Sequence, residues 1–171
     1  MNNAPISEEN MASLCVVGFV GSPRKGMNTD TLVGKVLEGA NSVGAVAKIY
    51  KVLENADALV IGTPAYYDCV SAQLKLVIDR SNCLTEMIKL SDGKTTFKSR
   101  VKKRKKGIFI WVADSSRNPE CALATIRLWC KDANVELVNV LTVTDSDRGE
   151  GARNQEALLT KAYNIGASLN R

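Results

Sequence analysis

A short apolar run that leads through a polar loop into an amphipathic segment is the feature that most constrains the fold. The run, residues 14–20, is continuously apolar, as expected of a strand buried on both faces of a sheet. The loop, residues 21–29, carries hydroxyl, amide and guanidinium groups, and residues 31–43 repeat apolar side chains at helical spacing. A helix that begins at such a loop leaves N–H groups unpaired and carries partial positive charge, so we expect the loop to bind an anion.

The donors of this loop favour a terminal monophosphate. They are the hydroxyls of Ser22 and Thr29, the amide of Asn28 and the guanidinium of Arg24. The loop has neither the Gly-x-Gly-x-x-Gly pattern that binds a pyrophosphate nor the Gly-Lys-Ser/Thr ending of an ATP-binding loop. An ordinary strand-to-helix turn with a good N-cap is the alternative, and the loop by itself leaves both interpretations open.

Apolar runs and amphipathic segments alternate along the rest of the chain. The spacing predicts strands at residues 58–62, 107–113 and 135–143, and helices at residues 70–89, 119–133 and 154–169. This alternation predicts an α/β fold with a doubly wound parallel sheet and helices on both faces.

The second-strand region of this predicted sheet is expected to be shortened. Residues 45–57 are too few for another strand, a helix and their loops. Either residues 46–50 form a strand, or residues 48–55 form a helix that leads into the strand at residue 58.

Composition narrows the classes of function. The 171 residues, 45% hydrophobic and 24% charged, fit a single globular domain, and residues 1–12 are expected to be a disordered lead without a secretory signal. No apolar run is long enough for a membrane span. Five scattered cysteines without a Cys-x-x-Cys pair indicate reduced thiols in a cytoplasmic setting, and the absence of histidine excludes Ser-His-Asp and Cys-His nucleophiles.

One run of basic residues supplies most of the net charge of +5. Seven lysines and arginines lie within residues 98–106. Because no aromatic residues are interleaved in the run and no base-reading motif surrounds it, a solvated loop before a strand is favoured over a nucleic-acid site. Attraction of an anionic cosubstrate is a third interpretation.

Two later loops should lie beside the first at the carboxyl ends of the strands, where ligands bind in open parallel sheets. The second loop contains Pro64, Ala65, Tyr66, Tyr67, Asp68 and Cys69, and the third contains Ala113, Asp114 and Ser115. The proline and the tyrosines offer a flat surface to a planar ring, although either tyrosine can instead pack against a subunit. Cys69 is either a contact of that ring or a small buried thiol. A phosphate, a planar ring and a polar ring edge, in this order, describe a site for flavin mononucleotide (FMN).

The order and spacing of four motifs resemble one protein family. In chain order the motifs are Gly21-Ser22-Pro23-Arg24-x-x-x-Asn28-Thr29, Glu38-Gly39-Ala40, Ala56-Asp57-Ala58-x-x-x-Gly62-Thr63-Pro64-x-Tyr66 and Ser71-Ala72-Gln73-Leu74-Lys75-x-x-x-Asp79-Arg80. They resemble the NADPH-dependent FMN reductase and iron–sulfur flavoprotein family, and the resemblance extends over residues 14–169.

The resemblance implies a flavodoxin-like fold, bound FMN, and NAD(P)H as cosubstrate. It implies that the phosphate binds to Ser22, Arg24, Asn28 and Thr29, that the ring lies against residues 64–69, and that the far edge of the ring lies near residues 113–116. It also implies a homodimer or homotetramer that passes electrons from a small-molecule donor to a small-molecule acceptor.

Two positions depart from the family pattern. The iron–sulfur members carry a compact cysteine motif after the second strand, and the matching region is missing here, so no [4Fe–4S] cluster is expected. The third loop is often rich in glycine in the family, whereas this chain has Asp114, whose charge would disfavour an anionic reduced flavin if it points inward.

We expect an FMN-dependent oxidoreductase, because in such an enzyme the cofactor performs the electron transfer and no nucleophilic residue is needed. A flavodoxin-type electron carrier without its own substrate site is the alternative, although such carriers are usually acidic and this chain is basic. A scaffold that has lost the flavin is a third possibility.

Overall fold

A parallel sheet of five strands forms the centre of the computed structural model, which describes residues 14–22, 26–42, 46–48, 55–115, 118–144 and 151–170. The strands, in chain order, are β1 (Cys15–Val20), β2 (Val46–Lys48), β3 (Ala58–Pro64), β4 (Thr85–Lys89), β5 (Thr95–Ser99), β6 (Lys105–Val112) and β7 (Val135–Val143). The central sheet has the order β2-β1-β3-β6-β7, and β4 and β5 form a separate antiparallel pair. All neighbours in the central sheet are parallel.

Helices cover both faces of this sheet. They are α1 (Asn28–Ser42), α2 (Ala72–Arg80), α3 (Glu120–Asp132) and α4 (Glu156–Ala167), with short 3₁₀ turns at Ser81–Leu84, Ala152–Asn154 and Ser168–Asn170. On one face, α1 and α4 pack with Val60 and Ile110, whereas α2 and α3 pack on the other face with Ile61 and Trp111. The alternation of buried side chains along each strand therefore supplies two separate cores, and the expected doubly wound α/β fold is confirmed.

The second-strand region contains a strand of three residues. β2 pairs in parallel with β1, with Cys15 opposite Val46. The strand alternative for this region is therefore confirmed in a shortened form. Residues 49–54, where the alternative helix was placed, lie outside the described residues, as do residues 1–12.

The expected helix at residues 70–89 is wrong beyond Arg80. The chain leaves α2 there, passes through a 3₁₀ turn and enters the β4–β5 hairpin. An Asp92-Gly93 turn closes the hairpin, with Gly93 at φ +80° and the Leu90 N–H donating to the Lys94 carbonyl at 2.7 Å. The Asp-Gly pair was the signal for this hairpin, but the apolar residues Leu84 and Ile88 also fit helical spacing and were assigned to the helix.

The basic run is less solvated than expected. Lys105 begins β6 with its side chain buried, and its ammonium donates to the Lys103 carbonyl at 2.9 Å. The Arg104 guanidinium pairs with Glu136 at 3.0 Å, and the Lys106 ammonium donates to the Leu169 carbonyl at 3.0 Å. Several side chains of the basic run therefore form contacts within the folded protein, and the expectation of a purely solvated loop is wrong.

Among the helices that the structure describes, none combines the length and the apolar character needed to cross a bilayer.

Two glycines allow α1 and α4 to touch. A Cβ atom at Gly39 would lie 2.1 Å from the Tyr163 carbonyl oxygen, and one at Gly166 would lie 2.0 Å from the Val36 carbonyl oxygen. By contrast, a Cβ at Gly34, elsewhere on α1, would meet nothing within 4 Å. The close packing of these helices thus depends on the absence of a side chain at two particular positions.

Asp57 links the amino ends of β1 and β6, and its titration is expected to appear in the stability of the fold. The Cys15 N–H donates to its carboxylate at 2.5 Å, and the Lys103 ammonium pairs with it at 2.6 Å. Burial raises the pKa of Asp57, but these hydrogen bonds and the positive charges of Lys103 and Lys105 lower it by more, so it lies below the ordinary value of 3.8. Because the folded pKa is depressed, the stabilisation is complete above about pH 4 and is lost as the pH falls through the folded pKa.

We therefore expect Asp57→Asn to lower the free energy of unfolding by about 1 kcal/mol at pH 7, the upper part of the range for a partly exposed pair. Urea denaturation at a series of pH values measures this difference. The curves of the wild type and the variant should converge in acid, and a difference that does not change with pH would contradict the proposed charge interaction.

The two tryptophans provide a test of one buried hydrogen bond. The Trp129 indole N–H donates to the Ser81 hydroxyl at 2.6 Å, whereas the buried Trp111 indole N–H has no partner among the described residues. Replacing either tryptophan with phenylalanine removes a similar volume, but only Trp129→Phe breaks a hydrogen bond. We expect Trp129→Phe to destabilise the fold by about 1 kcal/mol more than Trp111→Phe. Chemical denaturation followed by circular dichroism gives the comparison, and equal losses would contradict it.

Candidate functional site at the carboxyl ends of the strands

Three loops lie side by side at one edge of the sheet. They follow β1, β3 and β6, which are neighbours in the sheet, with Val20 opposite Gly62 and Pro64 opposite Val112. β1 has β2 as its neighbour on one side and β3 on the other. The direction in which successive strands are added to the sheet therefore reverses between β1 and β3, and the first two loops lie on either side of this switch point. This is the position where open α/β sheets bind ligands, and the predicted site residues that the structure describes are brought together there.

The first loop lies at the start of α1. Thr29 is buried in the first turn of this helix, Ser22 is half-buried, and Arg24 lies outside the described residues. The amide oxygen of Asn28 accepts a hydrogen bond from the Ala152 N–H at 2.9 Å. This hydrogen bond connects the start of α1 with the 3₁₀ turn before α4.

Gly26 closes this loop in a left-handed conformation, with φ +71°. Its N–H donates to the Asp30 carboxylate at 2.7 Å, so this donor is already used within the loop. Its carbonyl accepts a hydrogen bond from the guanidinium of Arg153, a residue of the 3₁₀ turn before α4. Arg153 could not be predicted from the sequence, because no motif connects it with a loop more than 120 positions earlier.

The second loop contains a tight turn built from two residues with left-handed backbone. Tyr67 and Asp68 have φ values of 53° and 60°, and Tyr66 and Cys69 exchange backbone hydrogen bonds across them. Such values are uncommon outside glycine and cost about 1 kcal/mol or more per residue. The turn presents Tyr67 to solvent with 96% of its surface exposed, and Tyr66 is 40% exposed.

Most backbone donors of the second loop are used within the fold. The Ala65 N–H donates to the Val112 carbonyl at 2.7 Å, and the Cys69 N–H donates to the Tyr66 carbonyl at 3.0 Å. At the apex, the Tyr67 N–H has no partner among the described residues. The Tyr67 N–H at the apex of the turn is therefore a backbone donor of this loop that the described part of the fold itself does not use.

Ser71 connects the first and second loops. Its hydroxyl donates to the Gly21 carbonyl and accepts from the Leu74 N–H at 3.2 Å, which caps α2. Its own N–H donates to the Thr63 hydroxyl at 3.0 Å. A Cβ at Gly21 would lie 2.8 Å from the Ser71 hydroxyl, so glycine is required for this approach. Ser71 begins the last of the four sequence motifs, but no spacing in the sequence predicts that its hydroxyl connects the first loop with α2.

The third loop contributes a small polar surface. Ala113 is buried and its N–H donates to the Val143 carbonyl at 2.8 Å. Asp114 is exposed, and the Ser115 hydroxyl donates to its carboxylate at 3.3 Å. The Asp114 carboxylate is therefore accessible just beyond the carboxyl end of β6.

Cys69 differs from one of the two sequence interpretations. Its thiol is exposed, so the interpretation as a small buried thiol is wrong. The thiol lies 3.2 Å from that of Cys121, in the first turn of α3, and the two share a hydrogen bond. No spacing in the sequence indicated this contact.

The strand order and the position of the site define the class of fold as flavodoxin-like, and comparisons with solved structures agree. An NAD(P)H:quinone oxidoreductase from Methanothermobacter marburgensis is 15% identical, with a TM-score of 0.70 over 92% of this chain and 100% of that one. An FMN-dependent NADH-azoreductase from Bacillus anthracis, solved in complex with FMN, is 9% identical, with a TM-score of 0.68 over 94% of this chain and 100% of that one.

Sequence comparison supports one family. Residues 41–101 match the NADPH-dependent FMN reductase family, which confirms the resemblance seen in the motifs. An iron–sulfur flavoprotein from Methanocaldococcus jannaschii is 30% identical in an alignment 101 positions long that covers 40% of this chain and 52% of that protein. The chain thus spans about half the length of this relative.

Proposed function

We propose that this protein is an FMN-binding oxidoreductase that uses NAD(P)H to reduce a flavin, a quinone or another small acceptor. The observation that carries the proposal is the convergence of three loops of suitable chemistry at the switch point of a flavodoxin-like sheet. The family match supports it, since residues 41–101 include the whole second loop.

The residues at the strand ends fit FMN. Ser22, Asn28 and Thr29 carry hydroxyl and amide donors. Ser22 follows β1, and Asn28 and Thr29 begin α1, where the partial positive charge of the helix favours a phosphate. We propose that they hold the phosphate together with Arg24. When bound, FMN supplies hydride or electron transfer, and the protein supplies its position and electrostatic surroundings.

The second and third loops are proposed to hold the ring system. Their residues, Pro64, Ala65, Tyr66, Tyr67, Asp68, Cys69, Ala113, Asp114 and Ser115, line the same edge of the sheet as the first loop. The internal hydrogen bonds of Ala65 and Cys69 fix the shape of this surface rather than contact the ring. The exposed tyrosines supply aromatic area, and the Tyr67 N–H at the apex is the donor best placed for a polar edge.

The visible absorption spectrum of the purified protein tests this proposal. After incubation with FMN and gel filtration, the flavin absorption should elute with the protein, and NAD(P)H should then be oxidised in the presence of a quinone or ferric acceptor. A protein that retains no flavin would overturn the assignment. Retained flavin without turnover would support the electron-carrier alternative instead.

We also propose that the protein is a homo-oligomer that functions among reduced thiols in the cytoplasm. Met87 and Phe97 are cross-strand partners on the hairpin, and Phe97 lines one groove with Leu128 of α3. The three side chains are 66%, 57% and 63% exposed, and we call them the hairpin surface. An apolar surface of this kind suits a subunit contact.

The four cysteines whose side chains the structure describes are free, which fits a reducing compartment.

Phe97→Glu is expected to shift the protein to a monomer, because it places a charge at the centre of the hairpin surface. Light scattering coupled to gel filtration measures the mass. Val138→Glu, at another exposed apolar residue on β7, is the matched control and should keep the oligomer. An unchanged mass for Phe97→Glu would show that another surface is used, or that the chain is monomeric from the start.

A further inference from the structure

The thiols of Cys69 and Cys121 are placed to react with each other. Their sulfur atoms are 3.2 Å apart, and a disulfide bond is about 2.05 Å long, so the two sulfur atoms need to approach by only about 1 Å for a bond to form. Both residues are exposed, so a soluble oxidant can reach them. Cys130, by contrast, is buried, and burial raises the pKa of its thiol to about 12.

The two cysteines connect different parts of the candidate site. Cys69 ends the left-handed turn of the second loop, and Cys121 lies in the first turn of α3, the helix that follows the third loop. Cys69 and Cys121 are 52 positions apart in the chain. A bond between them would attach the exposed turn to a helix whose inner face is packed into the core through Ala122, Leu123 and Ile126.

We propose that Cys69 and Cys121 form a reversible dithiol–disulfide couple that tethers the second loop to α3. The couple is a modification site in its own right and does not depend on the bound cofactor. Its oxidant is a small-molecule disulfide of the glutathione type, because thiol–disulfide exchange needs only a thiolate and an accessible partner sulfur.

The exchange is balanced in two steps. One cysteine thiolate attacks a sulfur of the small disulfide, forms a mixed disulfide and releases one small thiolate. The second cysteine, as thiolate, attacks the protein sulfur of the mixed disulfide, forms the Cys69–Cys121 bond and releases the other small thiolate. The two cysteine protons end on the two released thiols, so two protein thiols are oxidised while one small disulfide is reduced.

The contact between the two thiols stabilises the reduced pair and keeps each thiol beside the other when one of them is modified. The hydrogen bond with Cys121 is the main reason that the pKa of Cys69 is raised, with further contributions from desolvation, from Cys121 and from the Asp68 charge. Once one thiol has entered a mixed disulfide, the other is already within contact distance, which favours ring closure over a lasting adduct.

Counting free thiols tests the couple. The reduced protein is equilibrated with oxidised glutathione, quenched in acid and alkylated under denaturing conditions before mass spectrometry. The wild type, with five cysteines, should lose two alkylation sites without gaining glutathione, and digestion should yield one linked pair of peptides containing Cys69 and Cys121. Cys69→Ser and Cys121→Ser should form no internal bond and should instead carry glutathione on the remaining thiol of the pair. Cys15→Ser, the matched control with the same number of thiols, should behave like the wild type.

Amide hydrogen exchange tests the tether. In the oxidised wild type, the amides of residues 67–70 should exchange more slowly than in the reduced protein, and Cys121→Ser should show no such difference. Stable glutathione adducts on the wild type, or a linkage between other cysteines, would overturn the couple. Equal exchange in both redox states would overturn the tether. Neither readout requires FMN, so failure of this inference is distinguishable from failure of the proposed function.

Discussion

Gly39→Ala is expected to lower the free energy of unfolding by about 3 kcal/mol or more, at the upper end of what overpacking costs. The new Cβ would lie 2.1 Å from the Tyr163 carbonyl oxygen and about 3 Å from two other backbone atoms of that residue. Backbone in the middle of α4 cannot move aside as a flexible side chain does, so α1 and α4 must separate. Since both helices belong to one core, the separation exposes apolar surface along the whole contact. Thermal and urea denaturation measure the loss.

Gly34→Ala is the matched control, because it makes the same change on the same helix. A Cβ at Gly34 meets nothing within 4 Å, and alanine has the higher helix propensity. We expect this variant to be about 0.5–1 kcal/mol more stable than the wild type. Similar losses in both variants would show that helix geometry, not the contact with α4, limits α1.

Arg24→Ala is expected to weaken FMN binding about ten- to hundredfold, that is by about 1.5–3 kcal/mol, the usual scale for one charge-assisted hydrogen bond to a phosphate. Arg24 lies outside the described residues, so this prediction rests on its place in the motif between Gly21 and Asn28. Equilibrium dialysis or quenching of flavin fluorescence gives the dissociation constants. Riboflavin, which lacks the phosphate, should bind equally well to the variant and the wild type.

Lys25→Ala separates contact from overall charge. It removes the same unit of positive charge from the neighbouring position, so long-range attraction of the phosphate falls equally in both variants. Binding to Lys25→Ala should change by less than about threefold, a difference on the scale of exposed charge interactions. If both variants lose affinity equally, Arg24 acts through its charge alone and the phosphate contacts lie elsewhere.

Three strands of the central sheet, β1, β3 and β6, were predictable because each contains an uninterrupted apolar run. A short apolar run of this kind is typical of a strand that is buried on both faces of a parallel sheet. The order of these strands and of the helices between them then defines the topology. The β4–β5 hairpin was not predicted, because its strands are largely exposed. Without a buried face, apolar and polar residues do not have to alternate along the sequence. Its signal was the turn, which the helical spacing of Leu84 and Ile88 obscured.

The general location of the candidate site followed from the sequence, since the ends of parallel strands converge at one edge. The contacts within it did not, because they join residues that no local spacing relates. The guanidinium of Arg153 reaches the Gly26 carbonyl, and the thiol of Cys121 reaches Cys69, across distances of 127 and 52 positions in the chain. The left-handed backbone of Tyr67 and Asp68 could not be predicted either, because tyrosine followed by aspartate is not typical of a left-handed turn.

The shared hydroxyl of Ser71 has a consequence for protein engineering. Because this one side chain holds the carbonyl of Gly21 and caps α2, the first loop is not a portable module. If residues 21–29 alone were transplanted into another parallel sheet, the Gly21 carbonyl would lose its hydrogen-bond donor. The transplanted loop would then lack a contact that holds its conformation. The smallest unit that can be moved as a whole is two adjacent strands with both of their loops and the serine that joins them.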